Sequence, residues 1–269
     1  PVFQDFIYIS VAEELTGDFE RFGAKNIRLE FKNNIELANR IIEQAGKKSI
    51  LAGGLDDEII RRYKISKKLD HGVTVPLYFV NKVYQNFKLV HIAIAGLPFI
   101  ELYKFGMCIG QAVAESDEQV VFLASGDLSH RLSHDGPYGF SEKGKEFDDL
   151  LVKSIKELDI ERLLKLDENF CESAGECGLR SFLMMFGALD GYDLKPEVYS
   201  YEGPFGVGYM VAEMSIDGQD LSRDLVSYYV CKHRSEIEAT RKAEDVYVTL
   251  ARTTLEHFIK KGKAIDVPD

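Results

Sequence analysis

Residues 120–140 read VVFLASGDLSHRLSHDGPYGF, and the change of character inside this stretch decides the fold. Residues 120–124 are all apolar, a run suited to a strand buried on both faces of a sheet. Ser125, Gly126, Asp127, Ser129, His130, Arg131, Ser133 and His134 then crowd into ten positions, followed by the turn-forming Asp135, Gly136 and Pro137. An apolar strand that empties into a polar loop is how an open α/β sheet presents ligand-binding groups, at the carboxyl ends of its strands. Gly126 permits a sharp turn after the strand. Asp127 and His130 would then set a carboxylate and an imidazole at the mouth of a crevice, and histidine is the usual general acid or base near neutral pH. The same residues also fit a plainer arrangement, with Asp127 capping a helical turn and His130 an ordinary loop histidine.

Outward from this loop, the pattern continues to alternate between strands and helices. Upstream, short strands are expected at residues 6–10, 26–31 and 88–95, the last with His91 as a packing residue inside the alternation. Helical periodicity runs from Asn34 to about Gly46 and again over residues 98–116, where Cys108 has apolar neighbours that suit an inert buried thiol. Between them, Asp70 and His71 stand directly before Gly72 and an apolar segment carrying Pro76. A helix through Tyr84 would hold both residues at its positive end, where an anion is favoured; a purely structural histidine is the other reading of His71. Downstream, residues 141–158 form an amphipathic helix with Phe147, Leu150, Leu151, Ile155 and Leu158 inward and the charges outward.

A second unusual stretch is DENFCESAGECGLRSFLMMFGALDG, residues 167–191. Its last part is a buried helix, and before it lie Cys171, Glu172, Glu176 and Cys177, separated by small residues. Glu176 fits either a dipole-stabilised helix start or a metal-ligand carboxylate. Glu176 and Cys177 would point about 100° apart on a helix, so at most one of them serves a ligand role. Residues 198–201 and 206–216 read as a hairpin around Glu202-Gly203-Pro204, and beyond Gln219 the chain becomes highly charged and helical.

Composition bounds the function. Lys and Arg number 33 against 44 Asp and Glu, a net charge of −11, and no basic run tracks a phosphate backbone. Nucleic-acid binding and attraction to an anionic membrane are disfavoured. No apolar run approaches the roughly 20 residues that span a bilayer, and no signal-peptide pattern is visible. Four cysteines without a C-x-x-C pair suit reduced thiols and a cytoplasmic location. The chain opens at Pro1 and runs almost directly into an apolar pattern, which reads as entry into the middle of a domain.

Taken together, LASGDLSHRL, LDHGVTVPLYF, GECGLRSFLMMFGALDG and YEGPFGVGYMVAEM resemble the LigB-like superfamily of class III extradiol ring-cleavage dioxygenases, in its Memo-type and AMMECR-associated bacterial branch. The resemblance covers residues 1 to about 214. It implies a three-layer α/β/α fold with a mainly parallel central sheet and a non-haem Fe(II) site of two histidines and a carboxylate. It also implies a catechol-like aromatic substrate and dioxygen as partners. In this reading His130 is the acid–base residue and Asp127 orients it, while His71, with Asp70, lies on the substrate side. Glu176 is the metal carboxylate, with Cys177 the alternative, as in Memo-type proteins. The two family-type histidine ligands are expected before Pro1, so Fe(II) belongs to the full-length parent and this fragment holds no tightly bound iron. VYVTLARTTLEHFIKKGK resembles the opening helix of an AMMECR-like domain. The expected organisation is 1–218 as the LigB-like domain, N-terminally incomplete, and 219–269 as linker and AMMECR-like start, with a homo-oligomer as a further expectation. The second function class is a Memo-like non-catalytic metal, redox or binding module.

Overall fold

The computed structural model describes residues 3–220, 222 and 224–263. In the first of two units, Pro1–Arg223, strand β1 (Ile7–Ser10) pairs in parallel with β4 (Ala52–Leu55). Between them in sequence come the antiparallel pair β2 (Glu14–Phe19) and β3 (Ala24–Lys32) and then helix α1 (Ile35–Lys47). Asn34 starts α1 by accepting from the Leu37 backbone N–H at 3.2 Å, a capping bond that replaces one missing at the first turn. α2 (Asp57–Tyr63), α3 (His71–Val83) and α4 (Phe99–Ala114) follow. After the loop that carries Asp127 and His130 come α5 (Glu142–Glu157), α6 (Ile160–Leu164), α7 (Glu168–Ala174) and α8 (Leu179–Ala188). The unit closes with the antiparallel hairpin β5 (Tyr192–Glu202) and β6 (Tyr209–Gln219), longer than the periodicity indicated.

The mixed α/β class is as expected; the sheet is not. Among the described residues the ladders are three separate pairs, one parallel and two antiparallel, in place of one mainly parallel central sheet. Residues 88–95 join β1 by an isolated bridge, Ile9 with Ile92, and not by a ladder. Residues 120–124 form no strand: they make no backbone–backbone hydrogen bond to any described residue. Val121 in this run is 91 % exposed, which is the reverse of the doubly buried strand its composition suggests. β2 was not expected at all: Thr, Gly and acidic residues mask its alternation, in which Leu15, Gly17 and Phe19 face inward.

The core is built chiefly by α4 and α8. Tyr103, Phe105 and Phe186 are completely buried. The two helices cross at glycines: a Cβ on Gly187 would lie 2.0 Å from the Tyr103 carbonyl oxygen, and one on Gly106 would lie 2.1 Å from that of Met184. α5 shows the amphipathic face that was expected, with one exception. Asp148 is completely buried, although the helix pattern assigns it to the charged outer face.

The second unit, Asp224–Asp269, contains α9 (Leu225–Lys242) and α10 (Val246–Lys261). Arg252 bonds the Glu244 carboxylate at 2.7 Å, and Glu256 bonds both Arg252 and Arg241, tying the two helices together. Gly262 ends α10 in the left-handed conformation. No helix among the described residues is long and apolar enough to cross a membrane.

Candidate functional site

The site loop is anchored by what a proline leaves undone. Pro76 sits inside α3, later than the first turn expected for it, and has no N–H to give to the carbonyl four residues back, that of Gly72. The Ser125 hydroxyl donates to that carbonyl at 2.5 Å. The Ser125 carbonyl in turn accepts from the Ser181 hydroxyl of α8 at 2.8 Å. α3 and α8 are thereby joined immediately before the loop turns at Gly126, whose φ is +157°. A Cβ there would lie 2.4 Å from Gly178 Cα and 2.7 Å from the Cys177 carbonyl oxygen. Only glycine lets the two loops approach so closely.

That approach brings three side chains together. Asp127 Oδ2 lies 3.3 Å from His130 Nε2, and Cys177 Sγ lies 3.7 Å from the same nitrogen. The Asp127 backbone N–H donates to Cys177 Sγ at 3.1 Å. Two acceptors on one ring nitrogen favour the protonated imidazole, so the Asp127 carboxylate first, and then Cys177, push the His130 pKa up to about 9. The Tyr138 ring stacks on the imidazole at 4.9 Å. Tyr209 is half exposed on the same side, close enough to Asp127, Tyr138 and Cys177 for their charges to help raise its pKa, although burial is the larger cause.

The other residues singled out in the sequence fall differently. Glu176 turns away from this cluster: its carboxylate accepts from the Leu179 backbone N–H at 2.8 Å at the start of α8, and burial raises its pKa. It lines a separate cavity of about 220 Å³ with Phe99, Glu168, Cys171, Glu172 and Arg180. Cys171 is buried there and its thiol is pushed up to about 12 by desolvation. His71 is the first residue of α3, with its ring edge-on to Phe22 at 5.8 Å, and Asp70 precedes it as the N-cap residue. The Ser125–Gly72 bond ties this helix end to the loop of Asp127 and His130. His91 is a core histidine: its Nδ1 is 2.9 Å from Ser10 Oγ, and burial lowers its pKa to about 4. Tyr138 and Tyr209 lie inside the quoted stretches but were not singled out, and the buried Asp148 carried no sequence signal.

Asp127, His130 and Cys177 each offer one ligand atom, all within 4.8 Å of one another, and they are the one such group among the described residues. An imidazole nitrogen, a carboxylate oxygen and a thiolate suit a divalent first-row metal of intermediate softness. The set fits a metal; it uses Cys177, the alternative to the expected Glu176, and adds Asp127 and His130, which were expected as acid–base and orienting residues and not as ligands.

Comparison with known proteins places this geometry. Residues 2–212 match the family described as the catalytic LigB subunit of aromatic ring-opening dioxygenase. Protein CA_C1420 of Clostridium acetobutylicum is 42 % identical over 269 residues, all of this chain and 57 % of its own length. A MEMO1 family protein of Methanococcoides burtonii is 28 % identical over 169 residues, 56 % of this chain and 59 % of that protein. The 3,4-dihydroxyphenylacetate 2,3-dioxygenase of Escherichia coli is 28 % identical over 183 residues, 64 % of this chain and 63 % of the enzyme. The chain thus spans little more than half the length of these relatives. An uncharacterized protein of Escherichia coli K12, 16 % identical, shares the fold with a TM-score of 0.55 over 79 % of this chain and 83 % of its own. With a match that runs from residue 2 to residue 212 and takes in the Asp127, His130 and Cys177 loops, the chain belongs to the LigB family of class III extradiol dioxygenases and their MEMO1 relatives.

Proposed function

We propose that this chain carries one wall of a LigB-type metal site in which Cys177 supplies a thiolate, and that it serves as a MEMO-like metal or redox module. The observation that carries this reading is that Cys177 Sγ, and not the Glu176 carboxylate, shares His130 Nε2 with Asp127. Ferrous iron or a similar divalent metal, when bound, would supply Lewis acidity and one-electron chemistry. Asp127, His130 and Cys177 would hold it. Without metal, Asp127 keeps the His130 ring oriented and its Nε2 proton in place, while Tyr138 covers one ring face. In this reading the helical unit is the start of an AMMECR-like domain, and any homo-oligomer forms in the full-length protein.

A second reading is supported by the match to the ring-opening dioxygenase family and by the name of the Escherichia coli relative. Here the full-length protein cleaves a catechol-like aromatic ring with dioxygen. His130 acts here in its neutral form: once its Nε2 proton is lost, Nε2 takes a proton from a substrate hydroxyl and later returns it, Asp127 orients the ring, and His71 and Asp70 face the substrate. Glu176 then supplies the metal carboxylate. Elemental analysis after anaerobic iron loading of the full-length protein, its Cys177→Ala variant and its Glu176→Ala variant separates the two. Iron lost with Cys177 and retained without Glu176 supports the thiolate site. The opposite pattern, with turnover on a panel of catechols, replaces it with the dioxygenase reading.

A further inference from the structure

One residue outside the cluster is hydrogen-bonded to both loops that form it. Ser129 precedes His130, and each of its polar atoms is engaged. Its N–H donates to Asp148 Oδ1 at 2.8 Å, and its carbonyl accepts from the Gly208 N–H at 2.7 Å. Its hydroxyl donates to the Ala174 carbonyl at 2.7 Å and accepts from the Arg131 N–H at 3.0 Å. Ala174 ends α7, three residues before Cys177. The His130 backbone N–H adds a parallel bond to the Gly175 carbonyl at 3.1 Å. The His130 branch and the Cys177 branch therefore both depart from Ser129.

Asp148 fixes Ser129. Its second oxygen accepts from the Tyr201 hydroxyl at 2.7 Å, so the carboxylate bridges α5, the loop and β5. Gly208 leaves just enough space, since a Cβ there would lie 2.2 Å from Asp148 Oδ2. Asp148 is completely buried and forms no ion pair among the described residues. A buried carboxylate held only by neutral donors adds little stability compared with an apolar side chain of similar size. Its value lies in geometry: two acceptor oxygens, fixed in one plane, set where Ser129 stands.

We propose that Asp148 is a positioning residue of the candidate site: through Ser129 it sets the spacing between His130 and Cys177. The inference rests on the thiolate-site reading for its consequence, but not for its geometry.

The test titrates Co²⁺ alone into the anaerobic, full-length protein and follows the near-ultraviolet thiolate-to-cobalt band. Asp148→Leu keeps the volume and removes both acceptors; it should melt cooperatively, yet lose about 10- to 100-fold in cobalt affinity, the usual cost of losing a group that orients metal ligands. Asp148→Asn keeps an acceptor for Ser129 and should restore the band and most of the affinity. Tyr201→Phe, which deletes one oxygen, serves if the leucine variant does not fold, and should weaken the band. An Asp148→Leu protein, or failing that a Tyr201→Phe protein, with wild-type band and affinity overturns the proposal. If the wild type itself gives no band, the thiolate-metal reading fails. The positioning is then read from iodoacetamide alkylation of Cys177, with exposed Cys231 as internal reference. Asp148→Leu should move the Cys177 rate to that of His130→Ala, and an unchanged rate overturns the proposal.

Discussion

At the scale of single residues, the decisive pair is Glu176 and Cys177. They are adjacent, so a helix or turn can direct only one of them at His130, and the competition is settled by capping. The Glu176 carboxylate is taken by the first N–H groups of α8, which leaves Cys177 as the side chain that reaches the imidazole. Sequence alone holds both halves of this argument, a glutamate before a helix and a cysteine beside it, but not the choice between them, because the choice depends on where α8 starts. Titration checks the arrangement. His130 is held at about 9, above its ordinary value near 6.5, so its contribution to stability is fully present below about pH 6.5 and is lost as pH rises through 9. Melting temperature should therefore fall across that interval in the wild type, and the fall should be smaller in His130→Gln. Metal competes with the protons of both His130 and the Cys177 thiol, so apparent Co²⁺ affinity should rise with pH, by up to about tenfold per pH unit for each proton that binding releases. In the dioxygenase reading, His130→Ala of the full-length protein should keep its iron and lose about 10²- to 10⁴-fold in turnover, measured by metal content and rate on the same sample.

At the scale of elements, the helices, β1, β3 and the β5–β6 hairpin were readable, while β2 and the pairing of the strands were not. Asn34, Ser141 and Gly262 mark helix ends by side-chain capping or left-handed backbone, local effects that need no partner. The ladders depend on which segments meet, and residues 120–124 show that a five-residue apolar run does not guarantee a neighbour. Asp148 was missed for a related reason: a periodic helix assigns every charge outward, and only the convergence of Ser129 and Tyr201 shows why one belongs inside. Two element-scale outcomes follow. Gly187→Val forces a side chain into the Tyr103 carbonyl, where α4 and α8 touch, and should lower stability by about 3 kcal/mol, at the upper end for overpacking, in a urea unfolding curve. Ser125→Ala leaves the Gly72 carbonyl without its donor and should cost about 1–3 kcal/mol, while Ser222→Ala on the exposed surface should change little.

At the scale of the whole molecule, the polar loop after residue 124 brings Asp127 and His130 to Cys177, even though the surrounding sheet differs from the one expected. The link survives because it rests on Gly126, Ser125 and Pro76, whose backbone roles are local. The unpaired run at residues 120–124 has a colloidal consequence. Its amide edges are open among the described residues, and Val120, Val121 and Leu123 face outward beside them, which makes the run a template for another chain's backbone. The net charge of −11 repels like molecules at low ionic strength, and salt screens that repulsion without closing the edge. Turbidity of concentrated protein should therefore increase with added salt, and Val121→Lys should suppress the increase while leaving the melting temperature unchanged.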